Sequence, residues 1–540
     1  MAYRPVLGPN GAPLPEGIGG MVRSVANASG VEVGFRAQAN QRQALDGWNV
    51  SQTSADAYWL RDRDQRVAQT RDLLAQEPWA QGGVERKLDM LVGAGWRPSV
   101  KPDPVVLGIS DDEAARLGRQ TEACYRTWAD DPLCRCDLEQ TLSASWLMHM
   151  AVMEQEICGD GLGVLRWRPD RGWKFGTCLQ VVDADRLSNA HGAPDTDLLR
   201  GGVVKDGDGA PFAYQIRNSH PGDYLGTTSP SAFSWTTVER RESWGRPRVL
   251  HLFRKDRPGQ TRGVSKLVAA LARFKQLQRF ADSELANAVI NALFAATITS
   301  SFDPTVAQEH LTSSAVAGIH DLRHGFYEQY NPTLAGARIQ HLFPGDDLKF
   351  LNAGRDASSL ATFTETFLRS IASGLGVAYE QMSMDWSHVN FATGRLLFIE
   401  IWRGVTKARG LIGMMWATPT LLAVTEDGID NGMIEPPSTA VDLYEAPAAW
   451  LRGRWIGPAR GWADPVKEPA GALLQMALGA TTGEDVAADQ GNDLDLIIPQ
   501  LGREARAWQA EGLMPPALGE MLSAARLIDG DADVPPARKQ

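Results

Sequence analysis

The stretch RKDRPGQTRGVSKLVAALARFKQLQRFADSELANAVINALFAATITSS, residues 254–301, decides the fold. It opens with basic residues and a turn signal, Pro258-Gly259, and then places apolar residues such as Leu267, Leu271 and Phe274 at steps of three and four. This spacing predicts one long helix, at about residues 264–296. Alanines crowd its other faces, so neighbouring helices could approach closely. A helix of about 33 residues would be about 50 Å long, which favours a packed barrel of helices over an ordinary globular core.

Composition limits the class of protein. The chain has 540 residues, of which 43% are hydrophobic and 22% charged, as in a soluble globular protein with two to four domains. Its net charge of −11 disfavours tight binding of DNA through neutralised phosphates, although a brief or sliding contact stays open. Five cysteines in one third of the chain indicate a reducing compartment rather than a disulfide framework.

No targeting or membrane segment is predicted. The first twenty residues have no apolar core of the kind that a signal peptide needs. The uncharged stretch 285–302 is long enough to raise the question of a membrane span, but it contains Asn287, Asn291 and several hydroxyl side chains. Such groups are costly in hydrocarbon, so a membrane span is rejected.

The order of predicted elements indicates an α+β protein. Helices are predicted at 55–77, 111–131 and 137–161, with a helix and a glycine turn over 82–100. The period then changes to that of strands, up to a strand at 246–253. After the long helix we predict a short helix at 305–319, a strand–turn–strand at 337–353, and helices at about 356–376, 395–424, 466–478, 483–490 and 494–512.

No stretch of the sequence matches an enzyme motif well enough to indicate a catalytic activity. The glycines of GDGLG, residues 159–163, end a helix and precede a strand, so they predict a helix cap and turn rather than a phosphate loop. Asp183 and Asp185 are the only faint candidates for a metal or acid–base pair. They have no third partner close in sequence, so a turn function is favoured. Because the sequence shows no catalytic pattern, an assembly protein is favoured over an enzyme.

Several stretches, in order, resemble the lambda-type family of tailed-phage portal proteins, the head–tail connectors. They are YWLRDRDQRVAQTRDLL (58–74), GGVVKDGDGAPFAYQIRNSHPGD (201–223), HLFRKDRPGQTRGVSKL (251–267), NFATGRLLFIEIWRGV (390–405) and GWADPVKEPAGALLQMALGATTGEDVAADQGND (461–493). Together they span about residues 50–512. The order and spacing of these stretches resemble those of the family, as do the residues within them.

The resemblance implies an α+β portal-type subunit with wing, stem helices, clip and helical crown, assembling into a closed ring. Its implied parts are an N-terminal arm (1–40), the wing (41–262), the first stem helix (263–296), the clip (297–354), the second stem helix (355–382), a tunnel loop (383–394), a wing helix with the connection to the crown (395–465), the crown (466–528) and a disordered tail (529–540).

The resemblance also implies a function and partners. The expected homo-oligomer is a dodecameric ring at the unique capsid vertex of the virion, assembled in the host cytoplasm. Double-stranded DNA would pass through its channel during packaging and ejection. The expected protein partners are the terminase large subunit, the capsid protein and head–tail connector proteins. No cofactor, metal or catalytic residue is expected.

Two groups of site residues follow. The tunnel loop would bring Trp386, His388, Asn390 and Phe391 to the DNA channel, with core packing of the aromatics as the alternative. Arg257, Arg262, Leu271 and Phe274 are predicted at subunit interfaces. For the basic cluster of Arg254, Lys255, Arg257 and Arg262, the alternative is a solvated turn, or ion pairs with Asp256 and neighbouring subunits.

Two other classes of function compete with the portal hypothesis. A metal-dependent nucleic-acid enzyme would need a carboxylate cluster holding Mg²⁺, and a cleavage assay would reveal it. A pore-forming oligomer could assemble through the long helix, and liposome leakage would reveal it.

Overall fold

The computed structural model describes residues 52–224, 233–293, 297–300, 346–349 and 358–512, apart from His388 and Ala463, and a few positions between 318 and 326. The chain divides into two compact units. One unit takes residues up to 269 together with those from 375 onward, and the other takes residues 270–374. The second unit is therefore an insertion into the sequence of the first.

The first half of the chain begins helical and then becomes mainly strand. Its helices are α1 (Ala55–Trp59), α2 (Arg63–Gln76), α3 (Pro78–Leu91), α4 (Pro104–Leu107), α5 (Asp111–Ala129) and α6 (Ala144–Cys158). Its strands are β1 (Arg97–Val100), β2 (Asp160–Trp167), β3 (Thr177–Val182), β4 (Leu199–Arg200), β5 (Val203–Lys205), β6 (Pro211–Arg217), β7 (Trp235–Glu239) and β8 (Val249–Phe253).

The second half is mainly helical. Its helices are α7 (Leu267–Leu293), α8 (Ser358–Leu375), α9 (Tyr379–Ser383), α10 (Phe391–Ile412), α11 (Thr418–Asp430), α12 (Pro447–Trp450), α13 (Lys467–Ala477), α14 (Gly483–Asp489) and α15 (Leu494–Ala510). A π-helical turn, Gly413–Ala417, joins α10 to α11. Its strands are β9 (Thr297–Ser300), β10 (Asp346–Lys349) and β11 (Gly453–Ile456).

No helix of the described residues has the length and apolarity that crossing a membrane requires.

The described strands form antiparallel sheets. The order is β3-β2-β8 in one sheet and β4-β5-β6-β7 in another, while β1 pairs with β11 and β9 with β10. The two larger sheets share an apolar core, which includes Leu162 of β2, Val182 of β3 and Tyr214 of β6. Alternation along these strands places one face of each sheet in that core.

The long helix is confirmed, although it is shorter than predicted. The structure has 27 residues in α7, about 40 Å at 1.5 Å per residue. The C-terminal helices α13, α14 and α15 also lie close to their predicted bounds. The predicted helix at 305–319 falls almost wholly outside the described residues, and of the predicted strand–turn–strand only β10 falls inside them.

Several predicted bounds were wrong. The helix predicted at 137–161 begins only at Ala144, and the one predicted at 55–77 is divided into α1 and α2. The helix predicted at 395–424 begins four residues earlier, at Phe391, because Asn390 caps it by accepting a hydrogen bond from the amide of Thr393 at 2.8 Å. It is also interrupted by the π-helical turn and then runs on to Asp430. The helix and glycine turn predicted over 82–100 missed β1, whose hydrogen-bonding partner β11 is remote in sequence.

Helix α6 lies unusually close to strand β2 at Gly161. A Cβ atom added to Gly161 would lie 2.3 Å from the carbonyl oxygen of Ala151 in α6. The backbone conformation of Gly161 is accessible to any residue, so this glycine is needed for space alone.

We therefore expect Gly161→Ala to destabilise the protein by about 1–3 kcal/mol, the usual effect of overpacking a rigid core. Gly82→Ala in α3 is the matched control, because a Cβ there meets nothing within 4 Å. That control should be neutral, or stabilising by up to about 1 kcal/mol. Chemical denaturation followed by tryptophan fluorescence measures both, and equal effects would contradict the close approach.

Candidate functional site

The loop that leads into α7 is anchored by one buried carboxylate, that of Asp160. This residue begins β2 and its side chain is fully buried. Its Oδ1 accepts hydrogen bonds from the amide of Gly263 at 2.5 Å and from His251 Nε2 at 3.0 Å. Its Oδ2 accepts from Arg262 Nε at 2.7 Å and from an Arg63 guanidinium nitrogen at 3.0 Å. Four donors thus compensate the burial of one charge.

Asp160 stays ionised in the folded protein. Burial alone would raise its pKa, but the charges of Arg262 and Arg63 and the hydrogen bond from His251 hold the pKa far below the usual range of a carboxyl group. Burial lowers the pKa of His251, against the opposing effect of Asp160. His251 is therefore neutral near pH 7, and it donates its Nε2 hydrogen to Asp160.

Arg262 holds the same loop to two other segments, the turn at 184–187 and Gly201. One of its terminal nitrogens donates to the carbonyls of Leu187 and Gly201, each at 2.8 Å, and the other donates to that of Ala184 at 2.9 Å. Its side chain is 2% exposed. The predicted role of Arg262 at a subunit interface stays a prediction, whereas its hydrogen bonds within the chain give it an internal structural role.

The backbone also requires glycine at this anchor. Gly159 caps α6 in the left-handed conformation, with φ of 90°, and a Cβ added to Gly263 would lie 1.8 Å from its carbonyl oxygen. The interpretation of the glycines at 159–163 as a helix cap and turn is confirmed. The two glycines let the end of α6 and the loop before α7 come into backbone contact.

Arg254 and Arg257, two other basic residues of the loop, have ordinary surface partners. Arg254 pairs with Asp256 at 2.6 Å, which confirms the predicted ion pair. Arg257 donates to the carbonyl of Thr53 at 3.1 Å and is exposed. No described contact tests the interface role predicted for Arg257.

The two predicted interface residues on α7 differ in burial. Phe274 is fully buried within the chain, and Leu271 is half-buried. Both sit on the apolar stripe that the spacing predicted. Their contact with a neighbouring subunit stays a prediction.

Asp183 and Asp185 do acquire a third partner in the fold. His220 Nε2 lies 3.6 Å from Asp185 and 3.8 Å from Asp183, so these three side chains could in principle surround a metal ion. Sequence reasoning missed His220 because three strands, β4, β5 and β6, separate it from Asp185 in the sequence. The only signal was the His-Pro pair at 220–221, and nothing in the sequence tied it to the carboxylates.

The geometry favours a structural role for this cluster over a metal site. The guanidinium of Arg71 already contacts both carboxylates, at 2.6 Å to Asp185 and 2.9 Å to Asp183. His220 Nδ1 accepts the amide hydrogen of Gly222 at 2.9 Å, so in the neutral ring Nε2 carries the hydrogen and has no lone pair for a metal. Asp183 also caps the turn by accepting from the Asp185 amide at 2.8 Å, which is the predicted turn function.

The loop between α9 and α10 spans residues 384–390, so the bounds predicted for the tunnel loop, 383–394, were too wide: the last four of those residues belong to α10. Trp386 is 51% exposed, so the alternative in which this aromatic packs into the core of the chain is wrong. Asn390 is exposed and caps α10, as described above. His388 lies outside the described residues, and so does the side chain of Phe391. Contact of these residues with DNA stays a prediction.

Comparison with known proteins identifies the class. The chain belongs to the lambda family of phage portal proteins, which it matches over residues 41–409. It is 30% identical over 481 residues to the portal protein of Escherichia phage N15, covering 88% of this chain and 90% of that protein. It is 28% identical over 521 residues to portal protein B of Escherichia phage lambda, covering 95% and 94%. This is a portal protein of the phage capsid, and the family is a structural one.

Solved structures include similar chains. One belongs to the neck of an empty gene transfer agent particle computed with C6 symmetry, with a TM-score of 0.43 and 14% identity, covering 80% of this chain and 94% of that one. Another belongs to the virion of a native gene transfer agent particle, with a TM-score of 0.39 and 15% identity, covering 79% and 93%.

We expect Asp160→Asn to destabilise the protein by about 3–5 kcal/mol, because it leaves two buried guanidinium groups without their anion. Asp170→Asn is the matched control, since Asp170 pairs with Arg168 at the surface and the change should leave stability unaltered. Denaturant unfolding measures both variants. An Asp160→Asn protein as stable as the parent would contradict the anchoring role.

The pH dependence follows from the same carboxylate. Because the pKa of Asp160 is lower in the folded than in the unfolded chain, its contribution is complete above the unfolded value of about 4 and is lost as the pH falls below it. We expect the parent to lose stability from about pH 5 downward more steeply than Asp160→Asn. Unfolding curves at several acidic pH values measure the two slopes.

Proposed function

We propose that this chain assembles into a ring at the unique capsid vertex, forming a channel through which DNA is packaged and ejected. The ring would also be the docking platform for the terminase large subunit, the capsid protein and the head–tail connector proteins. Assembly would take place in the host cytoplasm. Family membership supports the portal, and one structural observation supports the oligomer, as follows.

That observation is the uncovered apolar surface of the C-terminal helices. Neither α13 nor α15 has a buried residue. Large apolar side chains on these two helices are exposed, namely Leu473 (48%), Leu474 (67%), Ile498 (58%), Leu501 (57%) and Trp508 (41%). Apolar surface on this scale marks a site of protein association. In the proposal it is covered by neighbouring copies of the chain.

The parts of the proposed subunit follow the chain. Helix α7 would be the first stem helix and α8 the second, with the clip, which includes β9 and β10, between them in sequence. The two larger sheets would belong to the wing, and helices α13 to α15 to the crown. The anchor at Asp160 supports this division, because it fixes the residue at which the wing ends and the stem helix begins.

The net charge is consistent with a channel through which DNA slides rather than with a protein that binds DNA tightly. A chain of net charge −11 would not hold DNA by neutralising its phosphates. A channel must let DNA slide in both directions, so weak contact suits the proposed role. Uncharged polar and aromatic groups can touch the phosphate and sugar without strong attraction.

We expect the purified protein to form closed rings with a central hole, because a heterologous contact that closes on itself makes a ring. Light scattering gives the mass, and negative-stain microscopy shows the hole. A monodisperse monomer at micromolar concentration would contradict the proposal.

The apolar surface gives a second test of assembly. Leu474→Gln combined with Leu478→Gln should shift the assembly equilibrium toward the monomer by at least tenfold, since about 1.4 kcal/mol of lost burial is enough. Leu478 is 83% exposed in the single chain. Val105→Gln is the matched control, because Val105 is 88% exposed but belongs to α4 and not to the C-terminal helices. Equal assembly of both variants would rule out this surface.

The tunnel loop is tested by Trp386→Ala combined with Phe391→Ala. If the loop lines the channel, rings should form normally while less DNA is retained after packaging. Trp146→Ala is the control, because Trp146 is 59% exposed on α6. Quantification of DNA in purified heads is the measurement, and retention equal to that of the parent would show the assignment to be wrong.

A further inference from the structure

The C-terminal helices α13, α14 and α15 attach to the rest of their unit mainly through charged groups. None of the three contains a buried residue. Apolar burial within the chain therefore contributes little to holding them in place. Ion pairs with the two-stranded sheet of β1 and β11 attach α14 and α15, and Glu468 of α13 pairs with Arg395 of α10 at 3.4 Å.

Two cations at that two-stranded sheet bind α14 and α15. Lys101, directly after β1, places its Nζ 2.8 Å from Glu484 in α14 and 3.3 Å from Asp495 in α15. Arg454 in β11 lies 2.7 Å from Asp485 and 3.4 Å from Glu484. These acidic residues occupy the first turns of α14 and α15, where the helix dipole also favours negative charge.

One buried acid opposes this attachment. Glu122 of α5 is 7% exposed and accepts the amide hydrogen of Val100 at 2.7 Å. It lines a cavity of about 350 Å³ together with Asp493, which caps α15 and is itself 9% exposed. Carboxylates from two separate elements thus meet in one cavity.

The surroundings of Glu122 set its proton affinity. Burial is the largest cause that raises its pKa to about 7, and the charges of Asp493 and Asp495 act in the same direction. The hydrogen bond from Val100 and the charge of Arg126 act against them. Arg97 and Asp130 are the other charged residues in the wall of this cavity.

We propose that these contacts form a pH-gated latch, in which Lys101 and Arg454 hold helices α14 and α15 to the two-stranded sheet and ionised Glu122 weakens that hold by repelling the start of α15. The latch closes when Glu122 takes up a proton and loosens when it loses one. It needs no partner protein, so it stands apart from the proposed ring.

The sign of the effect follows from linkage. The pKa of Glu122 is higher when the helices are attached than when the carboxyl group is exposed to water. Attachment is therefore strongest at acidic pH and weakens as the pH rises through about 7. Between about pH 6 and about pH 8 the equilibrium for attachment should fall roughly tenfold.

Hydrogen–deuterium exchange of the full-length protein tests the proposal. We expect amides in residues 453–460 and 484–496 to lose roughly tenfold in protection between about pH 6 and pH 8, after correction for intrinsic exchange. In Glu122→Gln, which keeps the acceptor for Val100, protection should stay high at both pH values. Asp112→Asn, an exposed change on the same helix, should behave as the parent does.

A second variant tests the attractive half of the latch. Lys101→Met should lower protection of the same segments at both pH values while keeping the pH dependence, because Glu122 is still present. Light scattering at each pH separates these changes from changes in assembly. A Glu122→Gln protein with the pH dependence of the parent, or a Lys101→Met protein with unchanged protection, would overturn the proposal.

Discussion

The ionised carboxylate of Asp160 is the constraint on which the described architecture depends. It gathers donors from α2, from β8 and from the loop before α7, so four parts of the chain meet at one buried anion. A buried ion pair contributes little net stability compared with an apolar replacement, but it tolerates few geometries. We infer that its main effect is on position, because only one placement of the loop supplies all four donors.

Charge is used in two different ways in this protein. At Asp160 the partners are buried and four donors share the two carboxylate oxygens, so the loop before α7 is fixed to the sheets. At the two-stranded sheet of β1 and β11, the ion pairs of Lys101 and Arg454 are partly exposed and are opposed by Glu122. Partly exposed pairs are screened by salt and respond to pH, so this junction can change with conditions while the other does not.

The sequence was informative wherever the signal was local. The apolar stripe of α7, the glycines at 159–163 and the three C-terminal helices were predicted because periodicity and turn residues are read within a short window. Strand β1 was missed because its pairing partner β11 lies hundreds of residues away. The π-helical turn and the early start of α10 at Asn390 depend on packing and capping that periodicity alone does not reveal.

The candidate site was predicted less well than the fold. Arg262 was noticed for its charge, but nothing local showed that it would be buried against Asp160. His220 and Arg71 join Asp183 and Asp185 only after the sheets have formed. Ion pairs between distant elements leave no pattern in a single sequence, whereas the exposure of Trp386 agrees with its place in a loop between two helices.

The pairing of β1 with β11 has a consequence for how the chain folds during synthesis. Arg97 pairs with Ile456, so this two-stranded sheet forms only after Ile456 has left the ribosome. The inserted unit, residues 270–374, is synthesised before β1 and β11 pair, while the ends of the segment that contains it are not yet joined. Contacts so distant in sequence form late and slowly, since the entropy of the loop is lost before the contact is gained. Until then the edges of both strands are exposed, and nascent chains on neighbouring ribosomes are at risk of pairing with the wrong copy.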